Sequence, residues 1–154
     1  MKSNRTSQAL EAFQTGSSCA QAVLSTYLPL LGIEQGLAHK LGAGLGGGLG
    51  GTQMVCGALN AGAVVVSAIL GNAESTRVDL KAAASARTRE MVQDFEKKYG
   101  SSQCLQIIGE DTSTEAGRQR AQAANVYRKT CDQCVAHVSE QLDTLLQEKH
   151  LAGE

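Results

Sequence analysis

The stretch Gly42 to Gly51, GAGLGGGLGG, constrains the fold more than any other part of this 154-residue chain. Glycine inside a helix costs about 1 kcal/mol relative to alanine, so a tract this dense needs some gain from tight turning or close approach. It runs directly into TQMVCGALNAG, which carries Cys56, Gly57 and Gly62. A phosphate-cradling loop, a close helix crossing and a reactive thiol site are the three readings to separate.

The phosphate reading is the weakest. G-x-G-x-x-G occurs twice, from Gly42 through Gly44 to Gly47 and from Gly46 through Gly48 to Gly51. A dinucleotide fingerprint also needs a preceding strand within a βαβ unit and an acidic residue about 20 positions later. The preceding EQGLAHKL is helix-like, and no following strand is evident. Walker A fails too, because Gly51 is followed by Thr52 and no lysine is in place. Close packing explains the tract better, with Gly57 and Gly62 expected to let a neighbouring helix approach.

The rest of the chain reads as helical. It has one proline, no tryptophan, three tyrosines and two phenylalanines, and β-branched runs are nearly confined to Val64–Val66. Helical periodicity predicts segments over Asn4–Gln14, a capped helix from Ser18 with Gln21 as its capping-box partner, and Gln35–Leu41. A buried helix follows over Gln53–Leu70, then Ser75–Tyr99, Gln103–Ile108, Glu115–Ala124 and Cys131–Lys149, with Thr130 and Gln133 as a second capping box. Pro29 should kink or end the second helix. The expectation is an all-α, compact helical bundle around a central buried glycine-rich helix, as one domain over 1–154.

Charge and length exclude some partners. A net charge of −1 and a pI near 6.3 argue against nucleic acid. The N-terminal MKSNRTSQALEAFQTG lacks an apolar h-region, so no secretory signal is expected. The run Ala61–Leu70 is about half the ~20 residues a membrane span needs. The expected location is cytoplasmic, where the five cysteines favour metal binding, redox chemistry or plain burial over static disulfides.

Four of those cysteines share a setting. Cys19 follows Gly16-Ser17-Ser18, Cys56 follows Gly51-Thr52 by one turn, Cys104 follows Gly100-Ser101-Ser102, and Cys131 follows Thr130. Each is expected in the first turn of a helix after a small polar cap. Unpaired N–H groups and the positive end of the helix dipole favour a thiolate there. Helix ends gather at one end of a bundle, so the four sulfurs could converge; the competing reading is small apolar filler at tight corners. Cys131 and Cys134 form C-x-x-C, but Val135 replaces the histidine of a haem site and no βαβ context surrounds it. His137 could complete a Cys/Cys/His metal set, though a packed helix histidine is the plainer reading. His39 and His150 have no companions. Asp79, Glu90, Asp94 and Glu96 read as a solvated face, and Glu110 and Asp111 as turn residues.

With SCAQAVL, GGGLGGTQMVCGALNAG, CLQIIGEDTSTEAG and CDQCVAHVSEQL in view, the chain resembles the C_GCAxxG_C_C family. These are helical proteins of similar length, marked by four cysteines and a CGAxxG motif after a glycine-rich stretch. The resemblance extends from about residue 17 to 146 and implies a redox role for Cys19, Cys56, Cys104 and Cys131. One departure is that Ala61 stands at the motif's last glycine, with Gly62 one place later. Cys134 falls where an apolar residue is usual and reads as an extra.

Two function classes follow. In the first, the four converging cysteines act in redox chemistry, as ligands of an iron–sulfur cluster for electron transfer or as thiol/disulfide pairs. A structural Cys₄ zinc site would use the same ligands. In the second, the chain is a helical binding or assembly module whose cysteines fill corners. A redox partner protein and a second copy of the chain are the partners consistent with these readings; neither a nucleic acid nor a membrane span is expected.

Overall fold

The computed structural model describes residues 3–71 and 76–152. Its helices are α1 (Asn4–Gln14), α2 (Cys19–Tyr27), α3 (Gln35–Leu41), α4 (Gly57–Leu70), α5 (Arg77–Tyr99), α6 (Cys104–Ile108), α7 (Glu115–Ala123) and α8 (Asp132–Ala152). The fold is all-α. Among the described residues the only extended pairing is one antiparallel bridge between Val55 and Gln103.

Local chemistry sets most of these bounds. Ser18 accepts the Gln21 N–H while the Gln21 side chain accepts the Ser18 N–H, closing the expected capping box on α2. Pro29 ends α2 as expected, and the chain continues as a 3₁₀ turn over Leu28–Leu31. Gly100 and Gly109, both left-handed, stop α5 and α6. Helix α5 begins at Arg77 behind the Thr76 cap; the expected start at Ser75 lies outside the described residues.

Two expected boundaries are corrected. Residues 53–56 are not helical, and α4 starts at Gly57 with Cys56 as its N-cap residue. The cause is long-range pairing. The Cys56 N–H donates to the Ser102 carbonyl at 2.8 Å, Cys104 N–H to Met54 O at 2.6 Å and Leu105 N–H to Gln53 O at 3.0 Å. Buried Gln53, held at φ +56°, clasps the following turn: its Nε2 donates to Glu110 O and its Oε1 accepts the Thr112 N–H, both at 2.9 Å. The second correction concerns Cys131. Asn125, at φ +54°, breaks the chain earlier than expected, and a π-helical turn over Tyr127–Cys131 leads straight into α8. Thr130 therefore lies inside a helical turn and forms no cap, so the Thr130/Gln133 capping box does not exist.

Helix α4 is the centre, packed against α2, α5 and α8, while α1 lies on α2 and α8. Its Ala58, Leu59, Ala61, Val65 and Val66 are buried. Gly62 serves close packing: a Cβ there would lie 2.7 Å from Met91 Sδ of α5 and 3.0 Å from Val138 Cγ1 of α8. The glycine tract forms a run of turns in which Gly48, at φ +70°, has the Gln53 backbone where a Cβ would stand. No described helix is long and apolar enough to cross a membrane.

A polar clasp joins the chain's ends. Buried Asp143 on α8 accepts from Ser3 Oγ, from Arg5 Nε at 2.6 Å and from Thr6 Oγ1 at 3.4 Å. Nearby, the buried Tyr27 hydroxyl donates to Ser139 O at 2.8 Å. Removing the carboxylate takes away the acceptor of Ser3, Arg5 and buried Thr6; Thr6 Oγ1 keeps Ser3 Oγ, and half-exposed Arg5 can still be hydrated. Asp143→Ala is expected to lower stability by about 2 kcal/mol, seen in thermal unfolding as a Tm fall of roughly 4–8 °C. An unchanged Tm would show that the clasp contributes nothing.

Candidate functional site

The glycine tract bends back over the starts of both α2 and α4. Gly57 is the tightest point: a Cβ on it would lie 2.5 Å from Cys19 Sγ and 3.0 Å from both Gly46 Cα and Leu45 O. The motif glycine next to Cys56 thus makes room for a second cysteine's sulfur. From the other side, the Gly47 N–H faces Cys19 Sγ. The bridge from 53–56 to 102–105 then brings Cys104, the first residue of α6, towards Cys56. The π turn carries Cys131, and one helical turn later α8 carries Cys134.

All five cysteines line one cavity of about 150 Å³, together with Phe13, Ile107, Ile108 and Tyr127. The cavity lies at the seam between two apolar clusters. Cys19, Cys56 and Cys134 belong to the main core, whereas Cys104 and Cys131 pack with Ile108, Ala121 and Tyr127 in a smaller one. Cys56, Cys104 and Cys134 are buried, at 7%, 8% and 2% exposure; Cys19 and Cys131 are half-buried. All five are free thiols.

Their ionisation is uneven. Cys134, facing Cys56 across the cavity as a potential S–H donor, lowers the Cys56 pKa despite burial, helped by the Ala58 and Leu59 N–H groups at the start of α4. The same pairing, with burial added, pushes Cys134 far up. Burial pushes Cys104 and Cys131 up to about 12, reinforced by the charge on Cys56. Cys19 is raised for the same two reasons, against the pull of the Gly47 and Ala20 N–H groups. Of the four thiols expected to be activated by helix N-termini, only Cys56 is shifted down. At Cys19 and Cys104 desolvation outweighs the helix end, and Cys131 has no free helix end at all.

Cys134 was read from the sequence as an extra, yet it lines the cavity and is the partner that most affects Cys56. The available signal was its i, i+3 spacing from Cys131, which puts both sulfurs on one helix face. His137 goes elsewhere: it packs against Phe95 and Tyr99, with Nε2 3.2 Å from Asp94 Oδ2, and does not line the cavity. Among the described residues, no three of His, Cys, Asp or Glu are grouped so as to hold a metal ion.

A thiolate is the alkylated form, so a lowered pKa brings reactivity in at lower pH. With iodoacetamide, Cys56 is expected to react with a midpoint below that of a free thiol, while Cys104 and Cys131 stay protonated until near pH 12. Cys134→Ala removes the donor and should move the Cys56 midpoint upward; Cys134→Ser, which keeps a hydroxyl donor, should move it less. Equal midpoints in all three proteins would show that Cys134 does not control Cys56.

A family model described as "Putative redox-active protein (C_GCAxxG_C_C)" matches residues 17–145. No curated protein and no solved structure gives a match. The match spans the glycine tract and every cavity cysteine, and the chain belongs to this family.

Proposed function

Taking membership of this family as the premise, we propose that the protein is a thiol–disulfide redox protein in which Cys56 is the nucleophile and Cys134 its disulfide partner. The observation that carries this reading is the single cavity lined by five free thiols, in which buried Cys56 and Cys134 act on each other's ionisation. A thiol facing a thiolate supplies both reactants of a disulfide, lacking only an acceptor for two electrons. Oxidation joins the two sulfurs and gives up two electrons and the one thiol proton; reduction reverses it. Cys19 and Cys131, half-exposed at the cavity rim, and Cys104 in its wall supply further thiols for exchange.

A second reading keeps the sulfurs for an iron–sulfur cluster, because four thiolates are the donor set such clusters use. Cys19, Cys56, Cys104 and Cys131 would hold it, and the bound cluster would supply one-electron transfer. A zinc ion needs its donors to meet at one point, and among the described residues no three do so. The shared cavity therefore supports the cluster better than it supports zinc.

Purification without oxygen, followed by iron, sulfide and zinc analysis, separates these readings. Metal-free protein is then treated with diamide, a neutral thiol oxidant, and mapped by peptide mass. The expected first product is a Cys56–Cys134 disulfide, lost in Cys56→Ser and in Cys134→Ser with helical content unchanged. Stoichiometric iron and sulfide would overturn the dithiol reading in favour of the cluster. Five thiols that neither bind metal nor form any disulfide would leave only a packing role.

A further inference from the structure

The walls of the cavity restrict what can oxidise the pair. They consist of the five sulfurs, the apolar side chains Phe13, Ile107 and Ile108, the Tyr127 ring, two glycines and Ser18; among the described residues no charged side chain lines them. Carrying a charged group into such a place would cost several kcal/mol with nothing to repay it. Cys56 and Cys134 are 7% and 2% exposed, so a disulfide on the surface of a folded partner cannot reach either sulfur. The volume of about 150 Å³ suits a small molecule; an apolar cavity of that size holds a benzene-sized guest. The acceptor must also take two electrons in one step, because a dithiol gives up two.

Resting on the dithiol reading above, we propose that the substrate is a small, uncharged organic hydroperoxide, reduced by Cys56 within the apolar cavity and resolved by Cys134. The Cys56 thiolate attacks the terminal oxygen, so that an S–O bond forms and the O–O bond breaks. The alkoxide leaves and takes a proton from water, giving the alcohol and hydroxide. Cys56 is now a sulfenic acid, and the hydroperoxide has accepted two electrons. The Cys134 thiol attacks that sulfur, the S–S bond forms, and hydroxide leaves with the thiol proton as water. A small uncharged dithiol restores the pair by exchange, becoming a disulfide itself.

The test uses reduced full-length protein with tert-butyl hydroperoxide, hydrogen peroxide and glutathione disulfide, and dithiothreitol as the reductant. The expected result is one tert-butanol per Cys56–Cys134 disulfide and multiple turnovers with dithiothreitol. Hydrogen peroxide should react more slowly, and the charged glutathione disulfide slower again. Cys134→Ala should stop after one oxidation, leaving a sulfenic acid on Cys56 that dimedone traps; Cys56→Ser should give neither product. Ile107→Trp narrows the cavity and should slow tert-butyl hydroperoxide about tenfold relative to hydrogen peroxide, the scale on which fitted apolar pockets sort small groups. If diamide forms the disulfide but tert-butyl hydroperoxide oxidises Cys56 no faster than free cysteine, the substrate class is wrong and the dithiol reading stands. If no oxidant forms the disulfide, both fail. Faster oxidation by glutathione disulfide than by tert-butyl hydroperoxide would overturn the claim that the cavity excludes charge.

Discussion

Three backbone hydrogen bonds between residues 53–56 and 102–105 hold the site together. They keep the chain extended up to Cys56, so that α4 begins at Gly57 and Cys56 faces its free N–H groups. The same bonds fix the start of α6, and with it Cys104. Through Gln53 they also anchor the turn at 110–112, which leads into α7 and the π turn. The smaller apolar cluster hangs on this short strap, and the cavity is the space left between that cluster and the main core. Without the strap, Cys104 would have no fixed relation to Cys56, whereas Cys131 is held by α8 against α4.

Much of the helical frame could be read from local chemistry. Ser18 with Gln21, Pro29, Gly100 and Gly109 act on neighbours a few residues away, so sequence alone reveals them. The two misplaced boundaries have the opposite character. Residues 53–56 leave the helix because the Cys56 N–H and the Gln53 and Met54 carbonyls pair with residues 102–105, far along the chain, and no local pattern records those partners. Asn125 tolerates a left-handed backbone at modest cost, so the break before the π turn carried only a weak signal. The cysteines divide the same way. Their setting after small polar residues was visible, whereas the approach of Cys134 to Cys56 depends on how α8 meets α4.

The electrostatics follow from how few compensating groups the cavity holds. In an apolar site a thiolate must be stabilised locally or it reverts to the thiol. Cys56 has two helix N–H groups and a neighbouring S–H; Cys104 and Cys131 have no such donor, and at Cys19 burial outweighs the backbone N–H groups. The Cys56 charge then raises each of its neighbours. Of five cysteines in one cavity, one is thus shifted down and four are shifted up, a difference that their sequence settings conceal.

The number of sulfurs around the cavity is odd, and that has a consequence of simple parity. Two disulfides use four sulfurs, so four electrons are the most the five thiols can release by pairing among themselves. Whichever pairs form, one cysteine is left over. On the dithiol reading, complete internal pairing would therefore still leave the cavity one thiol for exchange.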